Sequence, residues 1–130
     1  MKEKITFETK KANKYFLQKI SFNIQPKELH KLIKNNIDCI NIIDVRTYDD
    51  YIDGHIPYAI HVPLNDIENH MVMFEKGKEN IIYGTCDYCD CAYRAAIFAS
   101  ENHYPVRVLH GGYKIWTELK YDTVKVSANK

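Results

Sequence analysis

Apolar residues along this chain recur in two rhythms, and the switches between them mark out its elements. Over residues 9–20, TKKANKYFLQKI, the spacing of Tyr15, Phe16, Lys19 and Ile20 predicts a short amphipathic helix. Residues 26–35 predict a second helix, with Pro26 in its first turn and an apolar stripe of Leu29, Leu32 and Ile33. The run CINIIDV (39–45) reads as a buried strand ending at Asp44. TYDDYIDG (47–54) reads as a short helix, with Thr47 as its N-cap and Gly54 as its stop. AIHVPL (59–64) is a short strand halted by Pro63, and Asn65 opens a predicted helix to about residue 75. NIIYG (80–84) is another buried strand, and AYRAAIFASEN (92–102) is a helix with alanines on the face that approaches a sheet. PVRVL (105–109) is the last clear strand, followed by His110, the pair Gly111–Gly112 and a helix to about Lys120.

Strands therefore alternate with helices from residue 39 to 120. That order predicts an α/β fold: a central parallel sheet, helices on both faces and right-handed crossovers. Ligands of such sheets sit at the carboxyl ends of the strands. The loop 84–91 leaves a strand and enters a helix, so it falls at that edge. No repeat, low-complexity tract or linker divides the chain. The expected organisation is an N-terminal helical extension (1–24), one domain (25–120) and a C-terminal tail (121–130).

Composition adds a compartment and removes some partners. The 130 residues are 45% hydrophobic and 27% charged, ordinary for a soluble globular domain. No apolar run is long enough to span a bilayer, and the opening MKEKITFETKK has no apolar signal segment. The net charge of +1 hides an uneven distribution. Residues 1–36 carry nine lysines against three acids, whereas residues 37–101 carry four bases against twelve acids. An acidic middle argues against a nucleic-acid groove, and the basic start reads as a solvated helix face. Three of the four cysteines are bunched, which is not the spacing of disulfide staples. Free thiols and a cytoplasmic location are expected, with no membrane partner.

The bunch lies in YGTCDYCDCAYRAA (83–96), which holds Cys86, Cys89, Cys91 and Arg94. A metal clamp would draw on three thiolates and a residue such as His110, but structural zinc sites use two separated ligand pairs and the second is missing. Cys86-x-x-Cys89 before a helix is also the arrangement of a thiol–disulfide oxidoreductase, although Cys89 and Cys91 lie nearer the helix start. The third choice is a single nucleophile. A loop opening into a helix turns its N–H groups inward and favours an anion. Cys89 and Arg94 are separated by four residues, which suits a sulfur-sized group better than a phosphoryl group.

Three blocks in register resemble the rhodanese family of sulfurtransferases. IIDVRTYDDYIDGHIPYAIHVPL (42–64) is similar to its Asp-x-Arg strand end and Gly-His-Ile-Pro turn. CDCAYRAA (89–96) is similar to its six-residue active loop and following helix, and VRVLHGGYKIW (106–116) to its closing strand, Gly-Gly turn and tryptophan. YFLQKISFNIQPKELHKLI is similar to a subgroup with a leading helix. Departures are Tyr58 where a glycine is usual, Cys91 and Ala92 where the loop commonly has glycine, and acids at Asp87 and Asp90. With Tyr58 in place, the turn is expected to avoid a glycine-only conformation, and the acids to oppose a thiolate.

The resemblance implies a single rhodanese-like domain that moves a sulfane sulfur from thiosulfate or a persulfide to a thiol or cyanide-like acceptor. No cofactor and no metal are implied, and a sulfur-relay protein is a candidate partner. Cys89 would be the nucleophile, cradled by Asp90, Cys91, Ala92, Tyr93 and Arg94. Cys86 and Cys91 are candidate resolving thiols. Asp44 and Arg46, with Asp50 as a further partner, would tie the strand end to its neighbours, helped by His55, Gly111 and Gly112; Trp116 reads as core. The alternatives are a non-catalytic rhodanese-like module that binds a protein, and an oxidoreductase using Cys86 and Cys89.

Overall fold

The structure is a computed structural model that describes residues 8–126. The outermost parts of the expected extension and tail, 1–7 and 127–130, lie outside the described residues. The elements run α1 (Thr9–Phe22), β1 (Asn23–Ile24), α2 (Pro26–Asn35), β2 (Ile40–Asp44), α3 (Tyr48–Asp53), β3 (Ile60–His61), β4 (Glu79–Tyr83), α4 (Cys91–Glu101), β5 (Val106–Leu109) and α5 (Gly112–Glu118). Their five strands form one wholly parallel sheet in the order β1-β5-β4-β2-β3. This is the expected α/β architecture with one strand more, because Asn23–Ile24 pairs with Val108–Leu109 and adds an edge. Two residues are too few for an alternating pattern, so β1 left no mark in the sequence.

The central strands are apolar on both faces, which is why helices cover both. On one face Ile24, Ile42, Ile81, Tyr83 and Leu109 pack with Leu29 of α2 and Trp116 of α5. On the other, Ile43, Val45, Ile82 and Val108 meet Ala92, Ala95 and Ala99 of α4, with Val62, Ile67 and Phe74 beside them. The three alanines bring α4 close to the sheet, as their spacing predicted. Each fully buried isoleucine or leucine contributes roughly 1.5–3 kcal/mol.

Several boundaries move. Strand β2 begins at Ile40, and Cys39 is exposed at the end of a 3-10 turn (Ile37–Cys39) instead of joining the buried run. The strand expected over 59–64 shrinks to Ile60–His61. The helix expected from Asn65 is instead 3-10 structure over Leu64–Met73, interrupted at Asp66 and His70, and Pro63 stands at its cap. Helix α1 extends to Phe22, but none of its residues is buried: Tyr15, Phe16, Leu17 and Ile20 all face solvent. No helix among the described residues is long and apolar enough to cross a membrane.

Tyr58 overturns the expectation drawn from its side chain. It adopts φ +70°, the left-handed region, at the third position of a turn closed by the Ala59 N–H donating to the Ile56 carbonyl at 3.0 Å. Pro57 at the second position suits either common turn, and the one formed here is the type that requires a positive φ at the third position, where glycine is usual. The turn therefore overrides the residue, at a cost of about 1 kcal/mol.

Away from the carboxyl edge, Asn80 is fully buried and clamps three segments. Its amide donates to the carbonyls of Glu75 and Pro105, both at 2.8 Å, while its Oδ1 accepts from Asn41 Nδ2 at 2.9 Å.

Candidate active site

The carboxyl edge of the sheet carries a buried polar cluster. Asp44 ends β2 and lies beside Tyr83, the last residue of β4, in the parallel register. Its carboxylate accepts from Arg46 Nη2 at 2.7 Å, Arg46 Nε at 3.1 Å and Tyr83 Oη at 2.7 Å. Arg46 also donates to the Gly54 carbonyl, and its guanidinium lies 4.0 Å from the centre of the Tyr113 ring. The Tyr83 hydroxyl in turn accepts the Ile56 N–H at 3.1 Å. Burial and the Asp44 charge push the Tyr83 hydroxyl far above its ordinary value. Burial opposes the Arg46 charge, but contact with Asp44 outweighs it and raises that group too.

The cluster thus ties β2, the 54–56 segment, β4 and α5 together. Asp44 and Arg46 hold each other as expected, whereas Asp50 stays in α3 with its N–H on the Thr47 hydroxyl, and the Gly54 carbonyl takes the place proposed for it. His55 is buried, stacks on Tyr51 at 3.9 Å and pairs its backbone with Val124. That bridge anchors the tail. Trp116 is core, with its Nε1 donating to the Asp122 carbonyl at 2.9 Å.

Above this floor the chain leaves β4 through Gly84 and loops to α4. Two N–H groups at the start of α5 hold the loop's first carbonyls: Tyr113 donates to Gly84 and Lys114 to Thr85, both at 2.9 Å. Such contacts need the two backbones nearly touching. Gly112, at φ +61°, makes this possible, since a Cβ there would stand 2.7 Å from the Gly84 oxygen and 2.9 Å from the Cys86 nitrogen. Gly111, at φ +80°, gives its N–H to Asp87 Oδ1 at 2.8 Å, and Asp87 Oδ2 lies 3.4 Å from His110 Nδ1. The Gly-Gly turn and the cysteine loop are one unit.

Cys89 sits half-buried in this loop. Backbone N–H groups of Cys91, Cys86 and Thr85 and the Cys91 thiol stabilise its anion, and they overcome burial to hold it below the ordinary thiol value. The flanking acids do not reverse this. Asp87 is turned to Gly111 and His110, and Asp90 pairs with Arg94 at 2.9 Å. The cradle differs in membership from the one expected of residues 90–94. Two of its backbone donors precede Cys89, and the Arg94 N–H is spent on the Asp90 carbonyl at 2.8 Å as α4 begins. The Arg94 side chain is mostly solvent-exposed. Ala92 is buried under the loop, and the Tyr93 hydroxyl donates to Asn23 Oδ1 at 2.7 Å. Among the described residues no three histidine, cysteine or acidic side chains converge to hold a metal.

Sequence reasoning missed Tyr83, Tyr113, Thr85 and the Asp87–His110 pair. Tyr83 had one visible signal, a polar tip directly after the apolar pair Ile81–Ile82, beside the strand that ends in Asp44.

The family model for the rhodanese-like domain matches residues 25–119. The chain belongs to this family. A rhodanese-like chain is therefore what the parallel sheet and cysteine loop build, with α1 lying before the matched segment. A solved structure from Bacillus halodurans is 28% identical, with a TM-score of 0.81 over 89% of this chain and 85% of that one. A rhodanese-related protein of Thermoplasma volcanium shares the fold at 22% identity, with a TM-score of 0.69 over 78% of this chain and 96% of its own. An HTH-type transcriptional regulator of Mycobacterium tuberculosis is 27% identical over 77 residues, 59% of this chain. The chain spans only about a third, 34%, of that regulator's length.

Proposed function

We propose that this rhodanese-like protein is a cytoplasmic sulfurtransferase with Cys89 as its nucleophile. One observation carries the reading: Cys89 lies in the loop that leaves β4 at the carboxyl edge of the sheet and opens α4, braced by the start of α5, where backbone N–H groups hold its thiol below the ordinary value. The same donors suit a persulfide, which carries its charge one sulfur further out. The thiolate attacks the outer sulfur of thiosulfate, the S–S bond breaks, and sulfite leaves with the electron pair. A thiol or cyanide then takes the sulfane sulfur and restores the thiolate, a double displacement with ping-pong kinetics. The buried Asp44–Arg46–Tyr83 cluster is the rigid floor that keeps the loop in place.

A second reading, a module that binds a partner protein, is favoured by α1. Its exposed apolar residues alternate with Lys10, Lys11, Lys14 and Lys19, a surface that suits an acidic partner such as a sulfur-relay protein. The two readings are compatible, with the enzyme carrying the chemistry.

The deciding experiment loads the reduced protein with thiosulfate or a small persulfide and takes intact and peptide mass spectra. One added sulfur at Cys89, removed by cyanide as thiocyanate, is expected. Absence of any adduct with every donor would overturn the enzyme and leave the binding module.

A further inference from the structure

The edge strand β1 reaches the cysteine loop from both sides, although its two residues precede the segment 25–119 that the family model matches. Asn23 follows the last turn of α1 and pairs with Val108 of β5. Its Nδ2 donates to the Lys19 carbonyl at 2.8 Å, which settles the orientation of the amide, and its Oδ1 accepts the Tyr93 hydroxyl at 2.7 Å. Tyr93 stands in the first turn of α4, four residues after Cys89, and packs half-buried on the cluster that holds Ala92 and Ala95. On the other side of the loop the Ile24 carbonyl accepts the His110 N–H at 2.9 Å. His110 and Gly111 then hold Asp87, two residues before Cys89.

The Tyr93 contact has a particular task, because the start of α4 lacks a side-chain cap. Asp90 occupies the N-cap position without making a capping hydrogen bond, and its carboxylate is turned to Arg94. A first turn without a cap has free N–H groups and little to hold its place. The early part of the loop is fixed by the N–H groups of Tyr113 and Lys114, but these reach only Gly84 and Thr85. The far end, where the chain passes Cys89 into the helix, has the Tyr93–Asn23 hydrogen bond as its tie to the sheet, across 70 residues of sequence.

We propose that Asn23 is a positioning residue for Cys89: through the Tyr93 hydroxyl it fixes the first turn of α4, and with it the end of the cysteine loop. The segment α1–β1 is then a working part of the site, not an appendage to it. The proposal takes its reaction from the preceding reading and its geometry from these contacts alone.

The test uses the full chain with Asn23→Ala, Tyr93→Phe, the two combined, and Asn23→Asp, which keeps the acceptor oxygen. Asn41→Ala, which removes hydrogen bonds to Met73 and Asn80 away from the carboxyl edge, controls for lost stability alone. Circular dichroism confirms folding. The readouts are the rate of Cys89 alkylation by iodoacetamide at neutral pH, located by peptide mass spectra, and kcat and KM for sulfur transfer from a small persulfide to a thiol. Asn23→Ala and Tyr93→Phe are each expected to lower the alkylation rate and kcat by about three- to tenfold with KM little changed, since a small displacement of a reacting group is felt in the rate. The combined variant should be no slower than the slower single one, Asn23→Asp should recover most of the loss, and Asn41→Ala should keep wild-type rates. Wild-type rates in Asn23→Ala, losses that multiply in the combined variant, or an equal loss in Asn41→Ala each overturn the positioning role and leave the sulfurtransferase standing. Alkylation that slows as expected in a chain that takes sulfur from no donor keeps the positioning role and removes the transfer reading.

Discussion

Replacing Gly112 by alanine tests whether the Gly-Gly turn and the cysteine loop act as one unit. The added Cβ would meet three backbone atoms: the Gly84 oxygen at 2.7 Å, and the Cys86 nitrogen and Thr85 carbonyl carbon at 2.9 Å each. None is the end of a flexible side chain, so the loop itself must move. The left-handed backbone costs alanine about 1–2 kcal/mol, and overpacking against fixed atoms typically adds about 1–3 kcal/mol. A loss of about 3 kcal/mol is expected in urea, read from the fluorescence of Trp116, which is fully buried. The displaced groups include backbone that stabilises the Cys89 anion, so the pH midpoint of Cys89 alkylation should also rise. Gly111→Ala is the control. It carries the same backbone strain, but the three atoms nearest its Cβ all belong to the Ile115 side chain. It should destabilise without a comparable rise in the alkylation midpoint. Equal midpoints in the two variants, or wild-type stability for Gly112→Ala, would refute the coupling.

Alkylation of the wild type carries a pH prediction of its own. Because Cys89 is held below the ordinary thiol value, its rate should plateau at a lower pH in the folded protein than in urea. The depressed group contributes stability that is present above its unfolded value and lost as pH falls through the folded one. Identical midpoints folded and unfolded would remove the cradle. Tyr83→Phe leaves the Ile56 N–H without its acceptor and Asp44 without one donor, so a loss of about 1–3 kcal/mol is expected in urea unfolding. Tyr58→Gly should do the reverse. Relief of the left-handed strain on an exposed side chain, less the entropy of glycine, stabilises by up to about 1 kcal/mol in the same assay. Ile20→Ser, on the solvent face of α1, should change stability by no more than about 0.5 kcal/mol.

The sequence displayed its long-period features well. Apolar runs that ended in Asp44 and Gly84 located the central strands, and the alanines of 92–99 located the helix that lies on them, because burial on two faces leaves a continuous signal. Short elements were harder to read: β1 left no mark and β3 was expected but too long, because each has two residues and its pairing is decided by neighbours distant in the chain. Thr47 announced its helix correctly through the hydrogen bond it makes. Asn65 did not, since the segment after Pro63 closes 3-10 turns. At the site, spacing made Cys89 the candidate, but the donors at Thr85 and Cys86 precede it and belong to no helix. Their position depends on contact with α5, which no local pattern encodes. The side chains of Asp87 and Asp90 looked hostile to an anion from their charge alone. Only their partners, Gly111, His110 and Arg94, reveal where those charges are spent.

The two outermost strands have a consequence for how this molecule meets others. The sheet ends on one side at Asn23–Ile24 and on the other at Ile60–His61. Pro26 and Pro63 follow each within two residues, and proline offers no N–H to a neighbouring strand. Neither margin offers the ladder of free amides that an incoming extended peptide would need. A crowded population of these molecules is therefore protected from edge-to-edge polymerisation. Anything that recognises the domain must read its helices and loops.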